Sequence, residues 1–310
     1  EAFGGMQEGR QGNGLFKKRH LFVYCQSSAG GEKNMRIPRA ACINDISGFG
    51  RCSLTTALAV LPAAGVQACP VPTAVLSKHT GFPSFYFKDM TSSMTPYLRD
   101  WDKLEFDGIY SGFLGSSDQI RIVEEFILNR KKKNPDINVI IDPVMGDGGR
   151  LYSTYTSEMH RRMKKLAACA DLITPNITEA CFLTGAEYSG EEISDSFAKE
   201  LAYRLEDMGV GRIVLTGIAR AENIVNMTYD SNEFYFDYVH RESRIYSGTG
   251  DIFASVVTAF LLKGKPLAEA VQIAGDFISK SIEYTVTAGA PLQEGVVFEP
   301  ILHYLSSYFR

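Results

Sequence analysis

Residues 247–255 read Ser-Gly-Thr-Gly-Asp-Ile-Phe-Ala-Ser, two glycines and an acid set directly before a helix-forming run. Glycines at a helix start let backbone N–H groups converge on one point, and the helix dipole adds positive potential there. Gly248, Thr249 and Gly250 are suited to cradle a phosphate or a developing negative charge, with Asp251 at the rim to take a proton from a hydroxyl. The same four residues also fit a plain turn in which Asp251 caps the helix. A second set is Asp-Pro-Val-Met-Gly-Asp-Gly-Gly, 142–149. Asp142 closes a β-branched run and, once buried, needs a partner for its charge. Magnesium with nucleotide phosphates would be one such partner, and loop N–H groups another. Asp147, inside the glycine-rich loop, is placed to meet a substrate or to close an Asx turn.

Two further sets complete the inventory. In Thr-Pro-Asn-Ile-Thr-Glu-Ala, 174–180, Asn176 and Glu179 have the spacing of a capping box. That spacing also puts an amide and a carboxylate together at a strand's carboxyl end, where they could order a metal's water shell. Ile-Asn-Asp (43–45) and Lys-His-Thr-Gly-Phe (78–82) follow the first strand and an early loop. Asn44, Asp45, His79 and Thr80 could hydrogen-bond a polar aromatic ring, or serve the fold alone.

These residues need elements to hold them, and the chain supplies an alternation. Residues 40–45 read as a buried strand ending in polar side chains, and 52–65 as a helix closed by Gly65. Residues 66–73 resemble a second strand whose prolines favour an edge or irregular position. Strand patterns recur at 106–115, 137–149, 171–185 and 211–217, and 117–134 is an amphipathic helix with a basic end suited to the dipole. Residues 226–240 alternate like an antiparallel hairpin, and 251–264 form a helix. This predicts an α/β fold, three layers (α/β/α) with a mostly parallel central sheet, whose ligands sit at the carboxyl ends of the strands.

The bulk composition narrows the partners. Of 310 residues, 45% are apolar and 22% charged, ordinary globular values, and the formal net charge of −4 argues against nucleic acid or an anionic membrane. No apolar run approaches the ~20 residues that cross a membrane. The six cysteines show no metal-like spacing, which predicts free thiols in a reducing cytoplasm. Residues 1–34 lack periodicity and are read as an N-terminal extension or a remnant of expression, with a single domain over 35–310.

Taken in order, IND–SGFG, KHTGF, DPVMGD, TPN..E and GTGD resemble the ribokinase-like superfamily, in its pyridoxal kinase and hydroxymethylpyrimidine kinase branch, from about Arg36 onward. The resemblance implies ATP-dependent phosphorylation of a hydroxymethyl group on a heteroaromatic ring. It makes Asp251 the catalytic base and the Gly248–Gly250 backbone, Thr249 included, the anion hole. It makes Asp142 and Glu179 metal-organising acids, and Asn176, Thr216 and Gly217 nucleotide contacts. It places Asn44, Asp45, His79, Thr80 and Asp147 about the substrate. Mg2+, ATP as co-substrate, room for a monovalent cation, a cytoplasmic homodimer and a vitamin B6 substrate belong to the same expectation. SGFGRCSL stands where hydroxymethylpyrimidine kinases show GGAGIQAD, which favours pyridoxal, pyridoxamine or pyridoxine over the pyrimidine. Lys78 replaces the family's asparagine before HT, and the glycine-rich loop is shorter than in animal pyridoxal kinases. A non-catalytic relative of these kinases is the reading from another class, and the intact Asp251 argues against it. No GxGxxG follows the first strand, so a dinucleotide-binding dehydrogenase fits poorly.

Overall fold

A computed structural model describes residues 36–190, 192–240 and 246–309. The expected extension over 1–34 and Cys25 lie outside the described residues. Strand β1 (Arg39–Ser47) leads into helix α1 (Ser53–Ala63), β2 (Gln67–Leu76) and the short β3 (Phe87–Asp89). Helix α2 (Thr91–Asp100), β4 (Gly108–Ser111), α3 (Ser117–Lys133) and β5 (Asn138–Ile141) follow. A small hairpin of β6 (Gly146–Asp147) and β7 (Arg150–Leu151) precedes α4 (Ser157–Ala167), β8 (Leu172–Ile173), α5 (Ile177–Thr184) and α6 (Asp195–Asp207). Then come β9 (Arg212–Arg220), β10 (Asn223–Asp230), β11 (Glu233–His240), α7 (Thr249–Leu262), α8 (Leu267–Thr287) and α9 (Leu302–Ser306).

Among the described residues, nine strands share one sheet in the order β11-β10-β9-β8-β5-β4-β1-β2-β3. The central run from β2 to β9 is parallel, and antiparallel pairs occur only at the two edges. Strand periodicity explains how both faces are covered. Ala41, Ile43, Ile109, Val139, Ile141, Ile173 and Ile213 pack against α2 to α6, while their neighbours Ala40, Cys42, Tyr110, Ile140, Leu172 and Val214 pack against α1, α7, α8 and α9. The expected three-layer α/β/α architecture is the observed one.

Local chemistry accounts for the details. Pro70 and Pro72 sit in the half of β2 that has β1 on one side and no strand on the other, since β3 pairs only with Ala74–Leu76. The missing N–H groups fall on that open side, where Tyr97 Oη reaches Pro70 O instead. In the β10–β11 hairpin, Ser231 and Asn232 have φ of 52° and 65°, the left-handed pair that a two-residue turn requires. Strand β9 runs past the expected end at 217 to Arg220, because its pairing with β10 continues to Arg220, opposite Asn223. Of the cysteines, Cys42, Cys52, Cys69, Cys169 and Cys181 are free, and the first two and Cys181 are buried.

Phe260 of α7 is fully buried against the sheet and meets Tyr308 edge-on with centroids 5.5 Å apart. Phe260→Ala leaves a ring-sized void that two packed layers cannot fill, so unfolding in urea should show a loss of about 3–5 kcal/mol.

Candidate active site

The parallel strands point their carboxyl ends at one rim, and the polar residues that follow each strand meet there. On β1, Asn44 is fully buried. Its Oδ1 accepts from the Asp45 N–H at 3.0 Å and the Phe113 N–H at 2.9 Å, and its Nδ2 donates to Asp251 Oδ1 at 3.1 Å. Asn44 therefore faces Asp251 and not a substrate ring, which corrects the sequence expectation. Asp45 is also buried, and its two oxygens accept from Ser47 Oγ at 2.9 Å and Ser53 Oγ at 2.6 Å. Burial raises the Asp45 carboxyl above its ordinary value, and the serine hydroxyls and the nearby His79 oppose that rise.

Helix α7 opens at this rim. Its N-cap is Gly248, with φ of 84° and no side-chain cap. A Cβ there would stand 2.0 Å from Arg51 O, so glycine is required on both conformation and space. Asp251 is the third helical residue and caps nothing, which rules out the plain capping reading. The first-turn N–H groups have no acceptor within the helix, and Gly250 is exposed, so the cradle is open to an anion. Burial pushes the Asp251 carboxyl up to about 6, with the charge of Asp45 adding to the rise. The backbone N–H of Ser53 and the Asn44 amide work against it by favouring the carboxylate.

Asp142 follows β5, and a Cβ on Gly250 would lie 3.9 Å from its Oδ2. Burial, then the charge of Asp251, pushes the Asp142 carboxyl up to about 8. The Thr174 hydroxyl lies close enough to oppose this, but outside hydrogen-bond geometry. Glu179 is raised well above the carboxylate range by burial and by Asp142, although three backbone N–H groups pull it back. Its oxygens accept from Met145 N–H at 3.0 Å and Asn176 N–H at 2.9 Å, and Asn176 Oδ1 accepts from Glu179 N–H at 2.9 Å. This is a complete capping box, and Asn176 Nδ2 is spent on Gly146 O at 2.9 Å. Glu179 thus holds the 142–146 loop while lying near enough to Asp142 for the two charges to act on each other. Among the described residues no three His, Cys, Asp or Glu side chains converge as a metal cluster.

In the loop after β2, Gly81 N–H donates to His79 Nδ1 at 3.1 Å, so the ring proton sits on Nε2, which donates to Gln293 O at 2.6 Å. Both ring nitrogens are committed to backbone, and only the apolar ring edge remains, with Phe82 packed on it at 4.8 Å between centroids. The expected polar contact from His79 to a ring is therefore not available in this arrangement. Thr80 is exposed beside it. Asp147 is exposed too, and its Oδ1 accepts from the adjacent Gly148 N–H at 2.7 Å. Thr216 bridges to Asn176, whereas Gly217 lies within β9 at a bulge, its N–H reaching Asn226 Oδ1 at 3.4 Å.

Comparison with known proteins fits this geometry. The sequence profile of the family described as phosphomethylpyrimidine kinase matches residues 54–295. The chain belongs to this family. The pyridoxine/pyridoxal/pyridoxamine kinase of Bordetella avium is 28% identical to this kinase over 248 residues, 76% of this chain and 82% of that enzyme. The hydroxymethylpyrimidine/phosphomethylpyrimidine kinase of Staphylococcus aureus is 30% identical over 190 residues, 58% of this chain and 64% of that enzyme. A Bacteroides thetaiotaomicron protein assigned as a phosphomethylpyrimidine kinase, in a crystal form with pyridoxal, superposes with a TM-score of 0.83 at 37% identity, over 87% of this chain and 96% of its own. Asn44 and Asp45 precede the family's matched stretch; His79, Asp142, Glu179 and Asp251 fall within it.

Residues that no motif singled out also meet these acids. Ser53 opens α1 with φ of 53°, a left-handed conformation rare for serine, and serves Asp45 with its hydroxyl and Asp251 with its N–H. Its place at the first turn of a helix, just after the SGFG turn, was the available signal. Cys52 beside it is buried, and burial together with the charges of Asp251 and Asp45 pushes its thiol up to about 12, so it stays neutral.

The Asp142 carboxyl makes stability depend on pH. Folded Asp142 keeps its proton to about 8, against an ordinary value of 3.8, so between those limits the folded state binds the extra proton and stability falls as pH rises. In EDTA, the melting temperature of the metal-free kinase should therefore drop between about pH 4 and pH 8. Asp142→Asn should flatten that slope; an equally steep slope in the variant would remove Asp142 as its source.

Proposed function

We propose that this kinase transfers the γ-phosphoryl group of ATP to the 5′-hydroxymethyl oxygen of a vitamin B6 vitamer, with Asp251 as the base. The observation that carries the reading is the pairing of Asp251, held by Asn44, with the unsatisfied N–H groups of Thr249 and Gly250 at the open end of α7. A hydroxyl presented there meets a proton acceptor, and the phosphoryl oxygens meet donors and a helix dipole. Phosphoryl transfer passes through a loose transition state, so positioning and charge stabilisation outweigh early deprotonation. An acid near 6 is ionised at neutral pH and is a better late acceptor than an exposed aspartate.

Asp142 fits a role toward Mg2+, since it is a buried carboxylate raised by a second carboxylate and aimed at the exposed Gly250. The ion would bind with the nucleotide and supply neutralisation of its phosphates, with water filling the coordination sites that protein does not. Glu179 acts one step back, by presenting the Met145 segment. His79 sets the wall of the ring pocket through its backbone bonds, and Asp45, between its serines, offers the nearest acid to the ring. The vitamer reading is supported by the SGFGRCSL segment and by the pyridoxal-containing Bacteroides relative. Hydroxymethylpyrimidine is the second reading, favoured by the family's description and by the Staphylococcus relative.

Turnover with Mg-ATP against pyridoxal, pyridoxamine, pyridoxine and hydroxymethylpyrimidine decides between them. The highest kcat/KM is expected for a B6 vitamer, and preference for the pyrimidine would install the second reading. Asp251→Asn should bind ATP as before and lose kcat by ~10²-fold or more. In the wild type, kcat/KM should fall as pH drops through about 6, where Asp251 takes up its proton.

A further inference from the structure

We propose that Asn44 is a positioning residue for the base, and that Gly112 exists to give it room; this rests on Asp251 being that base. Three observations converge. First, the orientation of the Asn44 amide is dictated from behind: two backbone N–H groups, of Asp45 and Phe113, bond Oδ1 at 3.0 and 2.9 Å, so only Nδ2 can face Asp251. Second, Asn44 is 0% exposed, so no substrate atom reaches it, and its one outward contact is Asp251 Oδ1 at 3.1 Å. Third, the space it occupies exists because residue 112 has no side chain. A Cβ there would stand 2.4 Å from Asn44 Nδ2 and 2.8 Å from its Cγ.

The sheet sets this juxtaposition. Ile43 pairs with Ser111, and the Gly112 N–H donates to Ile43 O at 2.9 Å, so the residues just beyond that pair, Asn44 and Gly112, must pack side against side. Asp251 approaches from α7, an element 207 residues away in sequence, and the amide fixes the rotation of its carboxylate where the hydroxyl arrives. A carboxylate free to turn would spend most of its time in orientations that cannot take the proton, a loss that falls on kcat. Binding of either substrate would be spared.

Steady-state kinetics with Mg-ATP and the preferred substrate test this in Asn44→Asp, Asn44→Ala, Gly112→Ala and the Asn44→Ala/Gly112→Ala double variant. Asn44→Asp keeps the shape and both backbone bonds but loses the Nδ2–H donor, so it guards against a simple failure of Asn44→Ala to fold. We expect kcat to fall ~10- to 100-fold in each single variant, with both KM values within ~3-fold of wild type. The double variant should be no slower than the slower single one, because the added methyl then has no amide to displace. Retained kcat with a raised KM for the ring substrate would make Asn44 a substrate ligand and overturn the proposal. Full activity in Gly112→Ala, or multiplying losses in the double variant, would overturn it as well. Asp251→Asn, assayed alongside, separates the two claims: normal turnover there defeats the base assignment, whereas a dead Asp251→Asn with fully active Asn44 variants defeats only the positioning.

Discussion

Four carboxyl groups, of Asp45, Asp142, Glu179 and Asp251, are crowded under one rim of the sheet, and keeping that much acid out of water shapes everything around it. Each acid is supplied differently. Asp45 has two serine hydroxyls, Glu179 has the backbone N–H groups of a capping box, and Asp251 has an amide and a helix-start N–H. Asp142 has the thinnest provision and a carboxylate neighbour, which leaves a proton or a cation to complete it. The gradation explains why the acids sit at element starts and ends, where backbone donors are unclaimed.

The two halves of the site are made from different materials. The α7 end is mostly backbone: a glycine cap, a first helical turn and a loop pinned by Glu179. The His79 end is side chains on loops, with His79, Phe82 and Phe49 in contact and Lys78 5.5 Å above the Phe82 ring. Relatives with B6 and pyrimidine names match the same chain.

Much of this was legible in the residues. Strand–helix alternation announced the layers, and the position of each polar cluster after a strand placed Asp142, Asn176 and Asn44 at one rim. The charge-laden helices were harder: α4 buries Met159, Met163, Leu166 and Ala167 at helical spacing, but its five basic residues mask the stripe. Side-chain roles were the least legible. Nothing in the spelling of IND shows that the asparagine turns inward, because that depends on Phe113 and Gly112, which arrive from another strand. The nitrogens of His79 likewise go to Gly81 and Gln293, a partner 214 residues further on. A motif records which residues meet, and local sequence does not record which of their atoms are already taken.

The span of these contacts bears on how the molecule comes into being. Asn44 waits for Asp251, His79 for Gln293, and Arg51 for Glu294 and Glu299, separations of 207, 214, 243 and 248 residues. Contacts this distant in sequence close late, after the entropy of the intervening chain has been surrendered. A ribosome-bound chain lacking its last fifth would hold most of the sheet and neither Asp251 nor the carbonyl that anchors His79. The contacts that hold Asp251 and His79 therefore form only once those distant segments have met.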